Sequence, residues 1–140
     1  MKPALLDTNV LLALAWPNHQ HHALVHRWFR AEARHGWATC ALTQVGFIRL
    51  SSNPSFTSMA VTPQQAAALL QELLTHDRHR FWPSPKASDA VIYQQTLGHQ
   101  QVNDAYLVEV ARKQRGRMVT LDSKLSVHAQ EEELIFVINA

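Results

Sequence analysis

With a single cysteine, Cys40, the 140-residue chain can form no internal disulfide, and no cysteine cluster has the spacing of a zinc site. A reducing, cytoplasmic setting fits that scarcity. The longest apolar runs, Val10 to Trp16 and Leu134 to Ile138, fall far short of the roughly 20 residues that cross a bilayer. The opening Met-Lys-Pro reaches Asp7 after only Ala4, Leu5 and Leu6, so a secretory leader is missing and no membrane association is expected. Charge of one sign is also scarce: a formal net charge of +2 admits an anionic partner but is too small for a protein that coats polyanions. Against these absences stands a hydrophobic content of 46%, enough for one sizeable core, so a single domain over residues 1–140 is expected. No internal repeat or low-complexity tract interrupts it.

Short apolar runs alternate with helical stretches. Ala4 to Leu6 predicts a strand closed by Asp7-Thr8-Asn9, and Val10, Leu11, Leu12 and Leu14 a buried helix that Pro17 and Asn18 break. An amphipathic helix is expected from about His21 to Arg34, with Leu24, Trp28 and Ala31 on one face, Arg27, Arg30 and Arg34 on the other, and Gly36 closing it. Trp37 to Leu42 predicts a second strand, and Thr43 the N-cap of a helix from Gln44 to Ser51. Pro63 opens a helix to about Thr75. Phe81-Trp82-Pro83 suggests a brief edge strand, because prolines 83 and 85 forbid continuous pairing, and Ser88 to Leu97 a further helix. Asn103 to Gln114 predicts a helix ended by Gly116, then strands from Arg117 to Leu121 and from Leu134 to Ile138, with Glu131 to Glu133 a solvated turn between them. Strands joined by connections too long for hairpins imply an α/β fold: a central, mainly parallel sheet of four to five strands with helices on both faces.

The chain holds five aspartates, and three of them, Asp7, Asp104 and Asp122, fall at junctions between these elements. Each alone reads as a helix cap or a favourable charge at a helix N-terminus. Together they carry more, because Asp7 and Asp122 end strands, where open α/β sheets place their ligand crevice, and Asp104 opens a helix that can face it. Two carboxylates about 4 Å apart repel by roughly 4 kcal/mol at an effective dielectric of about 20, so three in one place call for a cation or a shifted protonation. A hard, oxygen-liganded ion such as magnesium, with manganese able to substitute, resolves the conflict and brings the means to hydrolyse phosphodiesters.

Leu5-Leu6-Asp7-Thr8-Asn9-Val10-Leu11, Asn103-Asp104-Ala105-Tyr106-Leu107 and Val119-Thr120-Leu121-Asp122 resemble, in order and spacing, the three acidic motifs of PIN domains, and the whole chain is similar in length to the VapC-type toxins of bacterial toxin-antitoxin pairs. The resemblance implies a magnesium-dependent endoribonuclease in which Asp7, Asp104 and Asp122 ligate the metal and Thr120 and Asn9 organise hydrogen bonds around them. It also implies an RNA substrate, a homodimer and a cognate antitoxin that occupies or distorts the site. One position departs from the pattern: where PIN nucleases commonly carry a fourth acid, this chain has Gln44, whose amide can accept a hydrogen bond but cannot act as a general base at neutral pH. Asp89 and Glu109 are poor substitutes, Glu109 being five residues past Asp104 and so turned away around the helix.

Other features have plainer readings. His22 and His26 have the i, i+4 spacing of a helical metal pair but no glutamate partner of the His-Glu-x-x-His kind, so a solvated helix start is the better assignment. Arg78-His79-Arg80 and Arg112, Lys113, Arg115 and Arg117 could contact phosphates, and Arg49 a phosphate or an antitoxin carboxylate at the crevice rim. Trp16, Trp28, Trp37 and Trp82 fit core or dimer packing better than base stacking. Two other functions compete with the nuclease. One is a PIN fold, catalytically weakened by Gln44, that binds RNA or antitoxin. The other is a phosphatase of the haloacid-dehalogenase type, which wants a second Asp where Asn9 stands.

Overall fold

The computed structural model describes residues 1–94, 96, 98–124 and 134–139. Ala4–Leu6 forms strand β1, and Asp7 turns the chain into helix α1 (Thr8–Ala15). Helix α2 (His22–Glu32) follows, shorter than the expected His21 to Arg34 because its last residues tighten into a 3-10 turn before Gly36, which takes φ 92°. Strand β2 (Trp37–Thr39) stops three residues before Leu42. Helix α3 (Ala41–Ser51) begins earlier than the Gln44 start expected, with Cys40 at the N-cap. Thr43 is therefore not the N-cap; its hydroxyl reaches back to accept from the Cys40 amide at 3.0 Å.

Helix α4 (Pro63–Leu73) has Pro63 in its first turn and a reciprocal Thr62–Gln65 capping box. The edge strand is β3 (His79–Phe81), set two residues earlier than Phe81 to Pro83, which frees its amides from the prolines. Among the described residues of the stretch from Ser88 to Leu97 there is a 3-10 turn, Ala90–Tyr93, capped by Asp89, and no α-helix; Gln95 and Leu97 lie outside the described residues. Helix α5 (Val102–Lys113) leads to β4 (Arg117–Thr120), and β5 (Ile135–Val137) ends the sheet. The acidic run at 131–133 lies outside the described residues.

The five strands form one sheet in the order β3-β2-β1-β4-β5, every neighbouring pair parallel. Alternation along each strand feeds two cores. Ala4, Leu6 and Val119 pack with Val10 and Leu11 of α1, Val25 of α2, Phe47 of α3 and Leu70 of α4. Leu5, Ala38 and Met118 face the other way, onto Trp82 and onto Leu107, Val110 and Ala111 of α5. Helices thus cover both faces. The chain leaves α5 through Arg115 at φ 55°, so the left-handed turn falls there and not at Gly116. Gly116 is needed for clearance instead: a Cβ there would sit 2.4 Å from the Trp82 ring and 2.8 Å from the Pro3 carbonyl. Among the described residues, no helix is long and apolar enough to cross a membrane.

Candidate metal centre

β1 and β4 are parallel neighbours with Leu6 opposite Val119, so their carboxyl ends lie side by side. The chain passes from β1 to β2 on one side while β4 flanks the other, which makes the gap between β1 and β4 the point where strand order reverses. Open parallel sheets bind ligands at such a point, because the connections there diverge to opposite faces.

Asp7 sits at that point. Its backbone amide donates to the Val119 carbonyl at 2.9 Å, and its Oδ1 caps α1 by accepting from the Thr8 amide at 2.8 Å. Its Oδ2 accepts the hydroxyl of Thr120, the last residue of β4, at 2.7 Å. Thr120 Oγ1 also accepts from the Asp122 amide at 3.1 Å and from the Asn9 side-chain amide at 3.4 Å, while Asn9 Oδ1 accepts from the Leu121 amide at 3.3 Å. One buried hydroxyl therefore joins the residues that follow β1 to those that follow β4.

Asp104 comes from the first turn of α5, whose N-terminus stands at the same end of the sheet because the helix runs back along β4. Burial first, then the charges of Asp7 and Asp122, push its carboxyl up to about 6. Asp7, only 8% exposed, is raised as well, by burial and to a smaller extent by Asp122, against the opposing hydrogen bonds from Thr120 and Thr8. The three acids therefore share one electrostatic environment. They do not close into a ready coordination set, since among the described residues no three His, Cys, Asp or Glu side chains are grouped tightly enough to hold an ion, as expected of like charges that repel. Hard carboxylate oxygens that destabilise one another suit a hard divalent cation.

Gln44, in the first turns of α3, is drawn to the end of β2: its Nε2 donates to Thr39 Oγ1 at 3.0 Å, and Thr39 Oγ1 is 2.8 Å from His79 Nε2. Thr39 was not anticipated from sequence, although a threonine closing a strand was an available signal; His79 was read with Arg78 and Arg80 as a candidate phosphate contact, and its place beside Thr39 gives it a different partner. Arg49 is exposed near the end of α3 and, among the described residues, forms no ion pair. Glu109 pairs with Arg112 at 2.7 Å and Asp89 caps its own turn through the Val91 amide, so neither joins the three acids.

Two basic groups have other work. Arg117 is not a phosphate contact but is buried, 3.8 Å from Glu32 and stacked between Trp28 and Phe136. His22 Nδ1 and His26 Nε2 lie 2.7 and 3.2 Å from the Ala13 and Leu14 carbonyls, closing the end of α1, where carbonyls have no partner within the helix.

A parallel sheet in this order with acids at its switch point is the architecture of one nuclease-like class, and residues 4–131 match the PIN-domain family model; the chain belongs to that family. Its relatives include Ribonuclease VapC39 of Mycobacterium tuberculosis, 41% identical over 131 residues that cover 88% of this chain and 91% of the relative. Ribonuclease VapC38 of the same organism is 41% identical over 128 residues, 91% of each chain. Ribonuclease VapC44 is 38% identical over 130 residues, 90% of each. The crystal structure of PAE2754 from Pyrobaculum aerophilum superposes with a TM-score of 0.60 over 96% of this chain and 83% of that one; at 20% identity the likeness is one of fold.

Proposed function

We propose that this chain is a magnesium-dependent endoribonuclease, the toxin of a toxin-antitoxin pair, acting in the cytoplasm as a homodimer of single-domain subunits. The observation that carries the reading is the mutual influence of three carboxylates from remote parts of the chain at the sheet's switch point, where burial first and then the charges of Asp7 and Asp122 push Asp104 up to about 6. The names of the relatives, all ribonucleases, support RNA as the substrate, and the resemblance of the acidic motifs to those of VapC-type toxins supports an antitoxin as the partner. Exposed Val45, Val91 and Val102 offer apolar surface that a second copy would cover.

Asp7, Asp104 and Asp122 are the residues that would hold the ion. Once bound, magnesium would polarise the scissile phosphate, ease deprotonation of a water and offset charge on the leaving oxygen. Thr120 and the Thr8 amide occupy one lone pair on each oxygen of Asp7, fixing the carboxylate plane while leaving the other lone pairs open. Asn9 holds the Leu121 amide and so sets where Asp122 leaves β4. Asp104 must lose its proton before it can serve as a ligand. Water attacks phosphorus in line, the P–O3′ bond breaks, and a 5′-phosphate and a 3′-hydroxyl are left.

Purified protein is expected to cleave RNA with magnesium, to stop with EDTA, and to recover with magnesium or manganese. Wild-type cleavage rates and unchanged magnesium dependence in Asp104→Asn would remove that residue from the site. A second reading, an RNA- or antitoxin-binding module, is favoured by Gln44 alone, and it is preferred if expression arrests growth equally with Asp7→Ala.

A further inference from the structure

We propose that Thr39 and His79 are positioning residues for Gln44, joined to it in a polarised hydrogen-bond chain that aims the Gln44 amide oxygen into the site and makes residue 44 set the protonation of His79. The inference rests on the nuclease reading for its consequence in catalysis, but not for its geometry.

The chain has one direction. Gln44 Nε2 can only donate, so at 3.0 Å it uses a lone pair of Thr39 Oγ1. Thr39 is fully buried, so its own hydroxyl hydrogen must find an acceptor, and His79 Nε2 stands 2.8 Å away. His79 Nε2 is then the bare nitrogen of a neutral imidazole, and the ring proton is left on Nδ1. The Trp37 indole packs on the ring at 4.7 Å and fixes its plane. The charged or titratable groups acting on the ring are Arg80 beside it on β3 and His76 in the preceding turn, itself 3.5 Å from Asp77. Burial, Arg80 and His76 all hold His79 below the ordinary imidazole value, in keeping with a neutral ring.

With both amide hydrogens of Gln44 on one nitrogen and that nitrogen engaged by Thr39, the oxygen Oε1 is turned away from Thr39. Gln44 stands at the carboxyl end of β2, and β2 is the parallel neighbour of β1, the strand that Asp7 follows, so the free oxygen is the atom left to serve that end of the sheet. There it can accept a hydrogen bond from a water or a ribose hydroxyl but cannot take up the proton. A glutamate at 44 would reverse the chain. Its carboxylate has no hydrogen to give, so Thr39 would donate to residue 44 and take a hydrogen from His79 Nε2; a neutral ring supplies it by moving its proton from Nδ1, and the added negative charge favours uptake of a second proton from solvent to give the imidazolium. Gln44 with neutral His79 and glutamate with imidazolium carry the same net charge. The acid that PIN nucleases commonly place here would thus recruit a balancing proton in this chain.

Ring 15N and 1H NMR of His79 across pH, without RNA or metal, tests the chain. The wild type is expected to show one neutral tautomer with Nε2 unprotonated. Thr39→Val should redistribute the tautomers, and Thr39→Ser should restore them. Gln44→Glu should move the His79 titration to about tenfold lower proton concentration. Under magnesium, Thr39→Val should slow RNA cleavage about tenfold with Thr39→Ser near wild type, a loss typical of partners behind a site. A protonated Nε2 in the wild type, or a His79 titration that ignores both Gln44→Glu and Thr39→Val, overturns the proposal. If instead the tautomer behaves as stated and Asp104→Asn still cleaves RNA at the wild-type rate, the chain stands and the nuclease assignment of the acids falls.

Discussion

Removing one charge from the acidic site should stabilise the metal-free protein, and Asp104→Asn is the substitution to make. The carboxyl of Asp104 rises from 3.8 to about 6 on folding, through burial and the charges of Asp7 and Asp122. At about 1.4 kcal/mol per pKa unit this is a penalty of about 3 kcal/mol, which solvent reaching the half-buried group cuts to roughly 1.5 kcal/mol. A negative charge in the first turn of α5 returns about 0.5 kcal/mol from the helix dipole, too little to change the sign. The net gain of about 1 kcal/mol corresponds to roughly 3 °C in Tm for a domain of this size.

The pH dependence follows from the native state holding its proton more tightly than the unfolded chain. Below about 4 both states are protonated and the penalty is absent. It grows as pH rises from about 4 to about 6, and above that it is fully present. Melting curves in EDTA should therefore give equal Tm values for wild type and Asp104→Asn near pH 4 and a higher Tm for the variant at pH 7.5. Magnesium at about ten times its Kd adds about 1.4 kcal/mol to the wild type and nothing comparable to the variant, reversing the order. A variant less stable than wild type in EDTA at pH 7.5, or a difference that does not vary with pH, would refute the electrostatic account.

Thr120→Val keeps the shape of a buried side chain but takes the hydroxyl from Asp7 Oδ2; magnesium affinity by calorimetry should fall about 10- to 100-fold with the circular dichroism spectrum unchanged. Gly116→Ala forces a methyl against the Trp82 ring and the Pro3 carbonyl and should cost roughly 2 kcal/mol in denaturant melts, with cleavage per folded molecule preserved. Gly46→Ala brings a Cβ within 2.8 Å of Thr8 Oγ1, so it should lower stability and magnesium affinity together, because Thr8 is the residue whose amide holds Asp7. Phe47→Ala empties a wholly buried site between the sheet and its helices, and a loss of about 4 kcal/mol should leave little folded protein at 37 °C.

Much of the fold was legible because apolar spacing reports burial. The short apolar run from Ala4 to Leu6, and the inward Leu107, Val110 and Ala111, read correctly as strand and helix. Boundaries moved where short-range hydrogen bonds decide. Thr43 had the right chemistry for a cap but bonds back to Cys40 from inside the helix, and in the stretch from Ser88 to Leu97, helical in composition, the described residues form only the Ala90–Tyr93 turn. Arg117 read as a surface cation because sequence cannot show that Glu32, Trp28 and Phe136 enclose it.

The sequence by itself determined the alternating elements, the family pattern and the position of three aspartates at element junctions, since each depends on residues close together along the chain. Only the tertiary structure decided that Thr120 holds Asp7, that burial and then the charges of Asp7 and Asp122 lift Asp104 to about 6, and that Gln44 leans on Thr39 and His79. Hydrogen bonds and electrostatic repulsion depend on distance in space, and parallel pairing of β1 with β4 brings within reach side chains that the chain itself keeps more than a hundred residues apart.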